Sequence, residues 1–126
     1  MNNKDNVNVI TLKGRFVSAP KLNTTKAGVP VTSFAIAVNR RNGKKSDYFT
    51  IVCWNENAEY VCNNYIEDAE IVIDGEMQTH RHPDKHGNNV TWYEVVADRV
   101  MLFRDNRYIA PSNTPVIPEQ DGISAL

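Results

Sequence analysis

Residues 47–66 read DYFTIVCWNENAEYVCNNYI, and their period changes midway. Up to Trp54 the side chains alternate. Phe49, Ile51 and Cys53 fall on one face, and Tyr48, Thr50, Val52 and Trp54 on the other, which is the pattern of a strand. Beyond Asn55 the spacing becomes three and four. Ala58, Val61, Cys62 and Tyr65 then share one side of a helix. Asn55 is the expected N-cap, and Glu56 lies near the positive end of the helix dipole. Alternation resumes over residues 71–82, so one helix separates two strands.

Working outward, residues 7–17 predict a first strand, with Ile10, Leu12 and Phe16 alternating with Thr11, Lys13 and Arg15. Residues 23–30, NTTKAGVP, form a turn-rich link. Residues 31–39 form a second strand with Phe34, Ile36 and Val38 on one face. A polar loop over 41–46 leads into the third strand at 47–54. After the helix and the fourth strand comes a turn over 84–89, then a fifth, bulged strand region over 90–103. Three strands, one helix and two strands is the order of an all-β fold with one helix, the five-stranded Greek-key OB-fold barrel. Other small α+β folds share that order. From Arg104 the pattern dissolves into a polar segment punctuated by Pro111, Pro115 and Pro118. The expected organisation is a barrel domain over 1–105 and a flexible C-terminal tail over 106–126.

A chain of 126 residues suffices for one such domain. Its N-terminus lacks the apolar core of a signal peptide, and no apolar run approaches the length of a membrane span. A cytoplasmic protein, with no membrane association, is the expectation. Cys53 and Cys62 sit within apolar patterns and outside any C-x-x-C pair, so they read as buried thiols.

The net charge of −1 conceals a segregation. Lys13, Arg15, Lys21, Lys26, Arg40, Arg41, Lys44 and Lys45 occur over residues 6–46 without one acid. Asp47, Glu56, Glu59, Glu67, Asp68, Glu70, Asp74 and Glu76 follow over 47–79 without one Lys or Arg. Such blocks either interleave as ion pairs or form one basic and one acidic surface. The basic block ends in RRNGKK, directly before the third strand. With Phe49, Ile51 and Cys53 inward, Tyr48 and Trp54 stand outward, about 20 Å apart. Outward rings beside cations suit a nucleic acid single strand, because every base has a π-face and every phosphate a charge. The alternative is that these rings pack under a loop or against a second subunit.

The segments LKGRFVSAPKL, GVPVTSFAIAVNR, DYFTIVCWNENAEYV, IDGEMQTHRHPDKHGN and YEVVADRVMLF, in that order and spacing, resemble the bacterial and phage single-stranded DNA-binding proteins over residues 8–103. The resemblance implies an OB-fold that wraps single-stranded DNA without chemistry and without a cofactor, in support of replication, recombination and repair. It implies a homotetramer, with a homodimer as the alternative, and a nucleoid-associated location. Tyr48 and Trp54 match stacking positions of the family, and His82 stands where a larger ring is usual. The loop after the second strand carries Arg41, Asn42, Lys44 and Lys45 in place of a further aromatic. The family's basic turn before the fourth strand reads EDAE here, residues 67–70. The chain ends PEQDGISAL, with Glu119 and Asp121 in place of an acidic run and Leu126 in place of the final aromatic. Weak docking of replication and repair proteins by this tip is therefore the expectation. The nucleic-acid-binding set expected is Lys13, Arg15, Arg40, Arg41, Lys44, Lys45, Tyr48, Trp54, Gln78, His80, Arg81, His82, Lys85 and Trp92, with the facing of Trp92 set by the bulge.

His80, His82, Asp84 and His86 are close to the H-x-H-x-D-H of zinc hydrolases, but Lys85 stands where the last histidine of that motif belongs. With only three histidines in the chain, a second metal cannot be completed from imidazoles. No metal and no enzymatic activity is the expectation, and a hairpin whose His80, His82 and Gln78 share a face is the reading. The competing function is an OB-fold interaction module, such as a primosome-type subunit or an RNA binder.

Overall fold

The alternating segments become a ring of strands in the computed structural model, which describes residues 5–112. The elements are β1 (Ile10–Phe16), β2 (Asn23–Thr24), β3 (Pro30–Asn39), β4 (Ser46–Trp54), α1 (Asn55–Asn64), β5 (Glu70–Pro83), β6 (Asn89–Arg104) and β7 (Arg107–Tyr108). β1 pairs antiparallel with both β5 and β3, β3 with β4, and β5 with β6. The ring closes where β4 and β6 run parallel, at Ile51 opposite Val95 and Val52 opposite Val96. Closure leaves the long strands without an open edge along that stretch.

The inward positions fill the ring. Ile36, Ile51, Cys53, Ile71, Ile73, Val95 and Leu102 are fully buried, with Phe34 beside them. Burying each aliphatic side chain is worth about 1.5–3 kcal/mol relative to exposure. α1 covers the core with Ala58 and Val61. Tyr65, just past the helix, meets Phe16 edge-on at 4.9 Å between ring centres. Val52 is buried although it faces outward, because Ser33 and Val96 flank it on the two neighbouring strands. Both cysteines are free. Burial pushes the Cys53 thiol up to about 12, and also raises Cys62. Neither is poised to react as a thiolate.

The expected bulge falls in the β5–β6 pair. Asp74 faces Arg99, but Gly75 faces Ala97, so Asp98 is the extra residue. The Asn57 side chain donates to the carbonyls of Ala97 and Asp98 at 3.4 and 3.1 Å, tying the bulge to α1. A side chain at Gly75 would place Cβ 2.2 Å from the Val96 carbonyl oxygen, so the backbones approach this closely only with glycine.

Some boundaries differ from expectation. β1 starts at Ile10 rather than at residue 7. The link over 23–30 contains β2, paired to β3 across a turn closed by Thr25 and Val29. Asn55 does not cap the helix. Trp54 holds the extended cap position and no side chain caps α1. Asn55 itself is left-handed at φ 54°, which a short polar residue tolerates, and this lets the strand turn into a helix within one residue. The chain also stays on the domain past residue 105. β7 pairs with β6, the Tyr60 hydroxyl donates to the Ile109 carbonyl at 2.6 Å, and the Ser112 amide donates to Asn64 Oδ1 at 2.8 Å. The tail positions Glu119, Asp121 and Leu126 lie outside the described residues.

Candidate nucleic-acid interface

Residues opposite one another on paired strands project to the same face. Arg15 faces Ala37, and Ala37 faces Tyr48, so a cation and an exposed ring share one row across β1, β3 and β4 with a small residue between them. Asn39 reinforces the row. Its Oδ1 accepts from Arg15 Nη1 at 3.3 Å and from Ser46 Oγ at 2.7 Å. Lys13 projects from the same face of β1 and is exposed. Tyr48 is 69% exposed and Trp54 41%. The sequence expectation for both rings therefore holds: they stand outward while Ile51 and Cys53 fill the core.

The ring continues past the bulge to Met77 and Val95, and beyond them β5 and β6 project as a hairpin arm whose residues are mostly exposed. On the outer face Gln78 is opposite Glu94, His80 opposite Trp92, and His82 opposite Val90. The His80 and His82 rings lie nearly parallel, at 18° and 6.4 Å. The bulge turns Trp92, 60% exposed, to this side. Thr50 of β4 meets the arm here, and Thr50, His80, His82, Trp92, Tyr93 and Glu94 line one groove. Trp92, from the neighbouring strand, brings to this face a ring larger than that of His82.

Other expected residues are placed differently. Arg81 alternates with His80 and His82, so it projects from the opposite face of the arm, opposite Thr91. Lys85 is exposed at the arm's tip, where Asp84 Oδ1 accepts from the amides of His86 and Asn88. That engagement gives Asp84 a turn-forming role. Gln78 donates to Glu76 at 2.9 Å, so its amide is partly committed.

In the loop between β3 and β4, Arg40 is drawn into a two-pronged pair with Asp47, with Nε and Nη2 each 3.0 Å from a carboxylate oxygen. The hydrogen bond to Arg40 holds the Asp47 carboxyl below the usual range. Among the described residues this is the ion pair that joins the basic and acidic blocks. Arg41, Lys44 and Lys45 stand exposed on the loop, where Gly43 makes the turn at φ 73°. The acids of EDAE gather elsewhere. Glu67, Asp68 and Glu70 line a cleft with Arg15, Phe16, Tyr65 and Asp105, so Arg15 borders both a basic and an acidic surface.

Two participants escape sequence reasoning. Glu94 puts a carboxylate into the ring-lined groove, with His80 Nε2 2.6 Å from its Oε1. Tyr93, 64% exposed, shares that groove from the arm's other face. The adjacency of Trp92 and Tyr93 is the signal that could have found it, since neighbouring strand residues point apart and both are aromatic.

The single-strand binding protein family model matches residues 7–103. Single-stranded DNA-binding protein 1 of Staphylococcus aureus is 34% identical over 114 residues, spanning 86% of this chain and 69% of the relative. Single-stranded DNA-binding protein 2 of Listeria monocytogenes is 35% identical over 115 residues, 87% and 68% of the two chains. The single-stranded DNA-binding protein of Caldanaerobacter subterraneus is 34% identical over 114 residues, 86% and 76% of the two. The chain belongs to the single-strand binding protein family, and its closed ring with one helix between β4 and β5 is the family's OB-fold.

Proposed function

We propose that this chain binds single-stranded DNA with little sequence preference, stacking bases on the outer face of β4 and the arm while cations at its border hold phosphates. The observation that carries the reading is the shared face. Tyr48, Trp54, His80, His82 and Trp92 all project outward, with Arg15, Lys13 and the loop's Arg41, Lys44 and Lys45 beside them. Family membership and the names of the relatives support the ligand. Stacking is worth about 1–3 kcal/mol per base and tolerates any base. The cations add a salt-dependent part. Arg40 contributes less than its neighbours, because a phosphate must compete with Asp47 for it.

On this reading the protein performs no chemistry on the strand. It covers and protects single-stranded DNA during replication, recombination and repair, as a homotetramer or homodimer associated with the nucleoid in the cytoplasm. Among the described residues no helix is long and apolar enough to cross a membrane.

Titrating tryptophan fluorescence with oligo(dT) at several salt concentrations tests the reading. Quenching is expected, with log affinity falling against log salt by about 0.7 per phosphate contact. Competition by single-stranded RNA at equal or lower concentration would redirect the assignment to RNA. No quenching and no retention of either strand would overturn it.

A further inference from the structure

The segment RRNGKK brings its cations to the border of the stacking face, yet the first of them is turned away from it. Asp47 lies between Ser46 and Tyr48 in β4, so its side chain projects to the face opposite Tyr48. The two-pronged pair draws the Arg40 guanidinium onto that side, with Nε 3.0 Å from Oδ2 and Nη2 3.0 Å from Oδ1. Among the described residues no salt bridge engages Arg41, Lys44 or Lys45. A phosphate and a carboxylate accept from the guanidinium fork in the same two-pronged way. Asp47 therefore occupies the place on Arg40 that a phosphate of the strand would take.

The loop is built without this pair. The Arg40 amide donates to the Lys45 carbonyl at 2.7 Å, the Gly43 amide to the Arg40 carbonyl at 2.8 Å, and the Lys44 amide to Asn42 Oδ1 at 3.0 Å. Asn39 opposite Ser46 closes its base, where the Ser46 hydroxyl also donates to Asn39 Oδ1. The charged side chains are about half exposed, 53% for Arg40 and 44% for Asp47. A pair in that setting adds little to stability and is open to exchange. What it does fix is where one positive charge sits.

We propose that Asp47 is a positioning residue for strand binding, which withholds Arg40 from the phosphates and so limits both affinity and its dependence on salt. The inference rests on the reading that this face binds single-stranded DNA. It gives the segregation of charge along the chain a use: the first acid of the acidic block restrains the first cation of the loop.

A double-mutant cycle tests it. Affinity for oligo(dT) is measured by tryptophan quenching at several salt concentrations for the native chain, Asp47→Asn, Arg40→Gln and the double variant, with circular dichroism as the check on folding. Asp47→Asn frees Arg40, so it should bind more tightly at low salt, and its log–log salt slope should steepen by about 0.7, one further phosphate contact. Between about 50 and about 200 mM salt its affinity should therefore fall about 2.6-fold further than that of the native chain. Arg40→Gln should lower the slope by about 0.7 in the Asp47→Asn background, and by less than half as much in the native one. An Asp47→Asn slope equal to or shallower than the native slope overturns the inference. So does an equal loss from Arg40→Gln in both backgrounds, because Arg40 would then reach the strand whether or not Asp47 holds it. Failure of the native chain to bind oligo(dT) at low salt overturns instead the single-strand reading on which the inference stands.

Discussion

On the ring side of the Asp74/Gly75 bulge, β5 and β6 set Ile71 opposite Leu102 and Ile73 opposite Val100, and α1 and β4 cover that face. On the arm side the same two strands set Thr79 opposite Tyr93 and His80 opposite Trp92, and both rings stand largely exposed. The pairing is the same in both halves, and both are antiparallel ladders. The difference is cover. Where one face is closed, alternation is spent on stability. Where that cover ends, large rings stand in solvent at the expense of about as much apolar burial as they could have contributed. That arrangement makes sense for rings that bury themselves against a ligand.

The contrast is most easily broken by shortening a side chain in each half. Ile71→Ala leaves a cavity in the ring and should cost about 2–5 kcal/mol of unfolding free energy. Tyr93→Ala, a larger deletion in the arm, should stay within about 0.5 kcal/mol, as exposed substitutions do. Urea denaturation of the two variants decides, and comparable losses would show the arm to be part of the core.

Affinity should reverse the ranking. Trp92→Ala in the arm and Trp54→Ala at the end of β4 should each weaken oligo(dT) binding by about 1–3 kcal/mol with the unfolding midpoint unchanged. Fluorescence anisotropy of a labelled oligonucleotide gives the measurement. A folded Trp92→Ala variant with native affinity would confine the interface to the ring.

A smaller effect sits at the boundary. The Thr11 hydroxyl, at 2.7 Å, and the Arg99 guanidinium, at 2.9 Å, hold the Asp74 carboxyl below its usual range. A depressed folded pKa contributes stability above the unfolded value near pH 4 and loses it as pH falls through the folded value. The group is only half-buried, so solvent screens the contribution and keeps it small. Urea midpoints of the native chain should lie slightly above those of Asp74→Asn at pH 7, and the two should converge in acid.

The halves also differed in how readily they could be read beforehand. Inward residues of β3, β4 and β5 were legible because burial selects one face, and a slip of one residue would turn Ile36, Ile51 and Ile71 into solvent. The order of strands and helix followed from the change in period at Trp54, and the OB-fold from that order. The arm offered no such constraint. Arg81 and His82 are both polar and both exposed, so composition could not tell which faces the groove. The Arg40–Asp47 pair was hidden for another reason: a seven-residue separation across a loop becomes contact only once β3 and β4 are in register. Glu94 reads as an ordinary solvent-facing strand residue until Thr50 arrives beside it. The absence of a cap at Asn55 shows local preference yielding to geometry, since the tight exit from β4 demands a left-handed residue there.

The parallel contact of Ile51 with Val95 links residues 44 apart (95 − 51) and is the last ring pairing for which the chain supplies a strand. Parallel pairing of this kind joins distant segments and is slow to form. Until residues 95 and 96 have been made, Thr50 faces no opposing wall, and Trp92 and Glu94 have no fixed place beside it. A nascent chain on the ribosome that ends before β6 owns Tyr48 and the loop cations, yet no groove. The groove between β4 and the arm is therefore completed only once β6 has been made and docks, after the strands that carry Tyr48 and the loop cations.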